Sequence, residues 1–220
     1  MLRTVLLLIL ASSTAFAAPE FDLAPLKKWF GRQNEIRSVT ADFTQTRSLR
    51  ALRDPVATPG RLWFSVPGSV RWELGSPPKT IALRKGANAL IITPGKKRAE
   101  RHNASAASPS AGGGALAMLR FPLAKDFADF QRQFEVLAIT PSGERCRVEV
   151  APRDPQARKF LSRIVIEFNQ VNGHLLSFEM VTRDGSKMRQ EFSNVRTNVK
   201  IPATTFDYDL SGYDVKDAKE

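Results

Sequence analysis

Hydrophobic and polar residues alternate most clearly between Gly60 and Leu74. Leu62, Phe64 and Val66 take turns with Arg61, Trp63 and Ser65, and beyond Pro67-Gly68 the residues Val70, Trp72 and Leu74 take turns with Ser69, Arg71 and Glu73. A period of two on both sides of a turn predicts an antiparallel hairpin with one apolar face. The same rhythm predicts a strand over 36–47, with Val39, Ala41 and Phe43 on one side, and a second hairpin from Thr80–Lys85 and Asn88–Thr93, carrying Ile81, Leu83, Leu90 and Ile92. Five more strands are expected in the second half, at 134–140, 144–151, 161–168, 174–182 and 187–195, separated by Pro-Ser-Gly, Pro-Arg-Asp-Pro, Asn-Gly and Asp-Gly turns. Their apolar sets are Phe134 and Val136; Val148 and Val150; Ile164, Ile166 and Phe168; Leu176, Phe178 and Met180; Met188 and Phe192.

Two segments follow the helical period instead. Leu23, Leu26, Trp29 and Phe30 predict an amphipathic helix after Asp22, and Leu116, Met118, Leu119 and Phe121 predict a short apolar helix stopped by Pro122. Between the second hairpin and this helix the rhythm fails, and the stretch from Asn103 to Gly114 is low in complexity and reads as a loop. The fold class expected is mainly β with a few short helices (α+β): a single curved antiparallel sheet of about ten strands, with too few helices for a βαβ arrangement.

The first residues bear on compartment. Arg3, the apolar run Val5–Leu10 and Ala15-Phe16-Ala17 read as a secretory signal peptide over residues 1–17, leaving one domain over 18–220. No cysteine adjoins the expected cut, so the mature chain is not expected to be acylated. Cys146 is the only cysteine, which excludes an intrachain disulfide, and alternation places it on the apolar side of its strand as a small buried hydrophobe.

Charge and chemistry narrow the function. The formal net charge is +11, of which Arg3 would leave with the leader, giving +10. A surplus of this size attracts anionic surfaces, but no nucleic-acid recognition motif organises it, and export argues against such a partner. His102 and His174 lack metal-ligand spacing, and nucleophile elbows, zinc-protease helices and dinucleotide fingerprints are all missing. Neither a catalytic residue nor a metal or cofactor is expected, and the chain does not read as an enzyme.

Several motifs resemble the LolA family, periplasmic carriers that hold lipoprotein acyl chains in a half-open barrel. They are Ile36-Arg-Ser-Val-Thr-Ala-Asp-Phe-Thr-Gln-Thr, Gly60-Arg-Leu-Trp, Pro67-Gly68, Arg71-Trp72, Thr93-Pro94, Asp184-Gly185, Phe192, Phe206-Asp-Tyr and Gly212-Tyr-Asp-Val, in the family's order along nearly the whole mature chain. The resemblance implies an incomplete barrel of about eleven strands closed by helical lids and a monomer working in the periplasm. Its cargo would be acylated lipoprotein, received from an inner-membrane lipoprotein-releasing ABC transporter and passed to an outer-membrane receptor or to that membrane itself. The residues expected to line an acyl site are Phe43, Leu62, Phe64, Val66, Val70, Trp72, Leu74, Ile81, Leu83, Leu90, Ile92, Met118, Phe121, Phe134, Val148, Ile164, Ile166, Phe168, Phe178 and Met180. Leu26, Trp29, Phe30, Leu116 and Leu119 would form the lids. A packed interior, a lipid-binding sensor or a carrier of another amphiphile would use the same residues. The resemblance also implies an arginine before the proline of the second strand that bonds the lid backbone; this chain has Val66 there.

Overall fold

The computed structural model describes residues 21–50, 53–103, 124 and 126–218. The expected lid residues Leu116, Met118, Leu119 and Phe121 fall outside this set, as does the expected leader.

Helix α1 (Ala24–Gln33) has Pro25 in its first turn, where a missing N–H costs nothing, and Asp22 Oδ1 accepts the N–H of Ala24 at 2.9 Å. The strands are β1 (Ser38–Ser48), β2 (Val56–Ser65), β3 (Ser69–Leu74), β4 (Thr80–Lys85), β5 (Asn88–Thr93), β6 (Arg98–Asn103), β7 (Phe134–Ser142), β8 (Arg145–Pro152), β9 (Leu161–Asn169), β10 (Leu175–Thr182), β11 (Lys187–Thr197) and β12 (Asp214–Asp217). Two short helices interrupt the series, α2 (Phe127–Gln133) and α3 (Pro155–Phe160), capped by Asp126 and Asp154 respectively. The twelve strands of the described residues form one unclosed sheet in the order β12-β6-β5-β4-β3-β2-β1-β11-β10-β9-β8-β7. The expected curved half-barrel is therefore present.

Two expectations are corrected. The sheet is not wholly antiparallel, because β12 runs parallel to β6. Strand β6, with His102 on it, occupies a segment where the rhythm fails and no strand was expected. Its sequence, Arg-Ala-Glu-Arg-His-Asn, has one apolar residue and so no readable alternation; its pairing with β5, Ile92 opposite Ala99, defines it instead.

Register assigns the two faces. Leu62 lies opposite Trp72 and Phe64 opposite Val70, as the hairpin pattern requires. On the concave side these residues join α1, α2 and the inner residues of β7–β11 in a single apolar cluster. A bulge between Leu175 and Ser177 shifts β10 by one position, so Leu175, not Leu176, packs there.

The convex side carries a second, smaller cluster. Ile81, Leu83, Ile92 and Ala99 are buried there, with Leu90 beside them, under Tyr208, Leu210, Tyr213 and Val215 of the C-terminal segment. Arg71 fastens this strap: its Nη1 donates to the carbonyls of Thr205 (2.9 Å) and Asp207 (3.3 Å), while Glu73 holds the guanidinium from the other side at 2.6 Å.

Candidate functional site

The concave face is built from aromatic and branched side chains projecting from nearly every strand. Two aromatic chains cross it. In one, Trp29 of α1 stacks on Phe168 (4.9 Å between centroids) and meets Phe30 edge-on (5.1 Å); Phe30 continues to Phe130 (5.0 Å), and Phe130 to Phe134 (5.2 Å). In the other, Phe43 stacks on Trp72 at 5.6 Å and touches Phe192 at 6.1 Å. Offset and edge contacts of this kind add modestly to the stabilisation from burial itself. Their main effect is a continuous apolar floor.

Helix α1 covers that floor. Leu26, Trp29 and Phe30 are buried against it, and a few polar contacts hold the helix at one rim. Trp29 Nε1 and Gln33 Nε2 both donate to the carbonyl of Gly173 at 2.9 Å, and Arg32 Nη1 donates to the carbonyl of Val171. The turn between β9 and β10 thus grips the last turn of the helix. Beside it a cleft of about 40 Å³ is lined by Ile36, Val39, Ala41, Leu62, Leu175 and Phe192. A water fits a space of that size; an acyl chain does not.

Polar groups on this face are few. Gln45 and Gln190 are both buried, with Gln190 Nε2 3.4 Å from Gln45 Oε1. Arg84 shares a cross-strand row with Val70 and Ala89 and donates from Nε to the carbonyl of Gly68 at 3.0 Å. Burial pushes its guanidinium pKa below the ordinary value. The indole N–H of Trp72 and Nε2 of His102 are buried without a hydrogen-bond partner among the described residues. No group of three His, Cys, Asp or Glu side chains able to hold a metal occurs among those residues, and no helix there is long and apolar enough to cross a membrane.

Of the residues expected at an acyl site, the structure gathers Phe43, Leu62, Phe64, Val70, Trp72, Leu74, Phe134, Val148, Ile164, Ile166, Phe168, Phe178 and Met180 on the concave side, together with Leu26, Trp29 and Phe30. It separates Ile81, Leu83, Leu90 and Ile92, which lie on the convex side beneath the C-terminal strap. These strands are covered on both faces and read as near-continuous apolar runs, so alternation alone could not orient them. The smaller Ala82 and Ala89, with Ile91, face inward. Val66 is also separated. It sits at the β2–β3 turn, 40% exposed, in neither cluster. Phe127 and Phe130 belong to the site without having been expected; an aspartate cap followed by apolar residues three apart, Asp126-Phe-Ala-Asp-Phe, was the available signal. Cys146 lies in the same cluster, fully buried, and desolvation raises its thiol pKa.

Comparison with known proteins places this architecture. Among curated proteins, none matches the chain. A conserved protein from Thermus thermophilus has a similar structure, with a TM-score of 0.54 and 8% identity, over 87% of this chain and 98% of that one. A domain described as an outer membrane lipoprotein-sorting protein from Vibrio parahaemolyticus matches at TM-score 0.48 and 12% identity, over 84% and 95% of the two chains. A LolA superfamily protein from Nitrosomonas europaea matches at 0.41 and 12%, over 82% and 96%. The family model described as outer membrane lipoprotein carrier protein LolA matches residues 34–209, from the end of α1 to the middle of the strap. The chain belongs to the LolA family.

Proposed function

We propose that the protein is a periplasmic carrier that buries the acyl chains of lipoproteins against its concave face and conveys them from the inner to the outer membrane. The observation that carries this reading is an apolar concave floor covered by a helix whose own aromatic side chains occupy the space cargo would need. Each acyl methylene left in water costs roughly 0.8 kcal/mol, so a diffusing lipoprotein needs such a floor. Trp29 and Phe30 would give way as the chains enter, exchanging one set of apolar contacts for another. Contacts of this kind are strong in sum and individually soft, which permits later release.

The leader read over residues 1–17 supports export to the periplasm. An inner-membrane lipoprotein-releasing transporter and an outer-membrane receptor, or that membrane itself, are the donor and acceptor this route requires. Val66, exposed at its turn, does not act as a latch; the bonds from Trp29, Arg32 and Gln33 to the β9–β10 turn take that place.

Native mass spectrometry after co-expression with a triacylated lipoprotein, and displacement of a fluorescent acylated peptide, test the proposal together. The wild-type protein should carry acylated cargo, and Leu74→Lys and Val70→Lys should weaken binding at least tenfold, because an ammonium among acyl chains is unsolvated and unpaired. Circular dichroism checks the fold of each variant. Folded variants that bind as well as wild type would remove these side chains from the acyl site.

A further inference from the structure

Positive charge is unevenly distributed over the fold. On the convex face the arginines are matched by carboxylates: Arg147 and Arg163 share Glu149, and Arg145 and Arg189 share Glu167. One rim differs. There the loop after β1, the β10–β11 turn and α3 are joined into one surface by hydrogen bonds from Arg50 N to Ser186 Oγ (3.3 Å), from Arg183 N to Phe160 O (2.9 Å) and from Arg183 Nε to Arg158 O (2.8 Å). Arg47, Arg50, Arg53, Lys159, Arg183 and Lys187 lie on this rim, and none is ion-paired among the described residues, whereas Arg158 is paired with Glu135. Two of the local acids are engaged inside their own loops: Asp154 caps α3, and Asp184 accepts from Thr182 and Ser186.

Apolar side chains stand among these cations. Phe160, the last residue of α3, is 63% exposed, and Leu49 is 43% exposed. They stand on different segments of the rim, Phe160 at the end of α3 and Leu49 just after β1. We propose that this rim docks the protein on an anionic bilayer, with Phe160 and Leu49 entering the headgroup layer and the surrounding cations over the lipid phosphates. Aromatic rings favour that depth, and long basic side chains reach the phosphates while their stems stay apolar. An acidic protein would satisfy the cations alone, whereas the exposed Phe160 and Leu49 among them favour a bilayer. The biological purpose rests on the carrier reading, since a lipid carrier must meet a membrane to load or discharge, but the docking chemistry does not.

Flotation of the mature protein with vesicles of phosphatidylcholine alone, or mixed with phosphatidylglycerol, tests the proposal at low and high salt. Binding should require the anionic lipid and weaken with salt. Lys159→Gln with Lys187→Gln should weaken it roughly 25-fold, from about fivefold per cation near an anionic surface. Phe160→Ser should weaken it further, and Arg37→Gln with Arg196→Gln at the opposite rim should leave it unchanged. Binding of a fluorescent acylated peptide, measured on the wild type and the same variants, separates the two readings: a wild type that docks without binding the probe refutes only the carrier, and rim variants that lose docking should keep the probe. Equal flotation with neutral and anionic vesicles, or flotation untouched by the rim substitutions, would overturn the docking proposal. So would salt-dependent binding to polyglutamate without vesicle binding, which would point to an acidic protein instead.

Discussion

A methyl group added at Gly60 would stand 2.2 Å from Cζ of Phe43 and 2.5 Å from the carbonyl oxygen of Glu73. The floor of the half-barrel therefore depends on an absent side chain: Phe43 lies across the β2 backbone and reaches Trp72 because position 60 is empty. Gly60→Ala should force Phe43 off that stack and destabilise the protein by about 1–3 kcal/mol, the usual range for overpacking a tight interior. Urea unfolding measures this directly, and an unchanged midpoint would mean that Phe43 has room to move. In the sequence Gly60 is legible only as the start of a motif, because nothing local shows that a ring from the neighbouring strand fills the space above it. Phe43, Trp72 and Phe168 were legible, since alternation alone assigns them to an apolar face.

Among the elements, α1 is the one most exposed to test. Gly173 adopts a φ of +77°, and a Cβ there would approach Arg32 Cδ to 3.3 Å, so the residue that accepts from Trp29 and Gln33 is also one that cannot easily carry a side chain. Gly173→Ala should cost about 1–2 kcal/mol from the left-handed backbone alone and loosen the end of α1. Hydrogen exchange should then rise over 24–33 more than over β1 or β11; a uniform rise would identify Gly173 as a general fold residue and not a grip on the helix. The helix itself was readable from Leu26, Trp29 and Phe30, whose spacing leaves little choice of face. Strands β4 and β5 were readable as strands but not in orientation, since a run such as Ala89-Leu90-Ile91-Ile92 offers an apolar side in both directions. Strands β6 and β12 escaped because long-range pairing, not local pattern, makes them.

For the whole molecule, the C-terminal strap gives the sheet a second covered face and a pH signature. Both tyrosines of the chain lie in it, with Tyr208 and Tyr213 hydroxyls 2.9 Å apart. That hydrogen bond, then burial, pushes the Tyr208 pKa up to about 12. A pKa raised on folding contributes stability in full below the ordinary value of 10.0 and loses it as pH climbs from there through about 12. Tyrosinate absorbance reports the strap alone, so its late phase should coincide with loss of structure around β6 and β12. Titration completed near the ordinary value would show that Tyr208 is not held by Tyr213.

An unclosed sheet leaves two borders where backbone amides and carbonyls face outward, and such borders invite sheet-to-sheet growth. Here each is poorly suited to it. Strand β12 is only four residues long and three of them, Asp214, Lys216 and Asp217, are charged; β7 carries an irregularity between Val136 and Ala138 and a proline at 141. A second copy laid along either border would find its ladder broken within a few residues. The unclosed half-barrel can thus persist at high concentration without drawing the chains into fibrous aggregates.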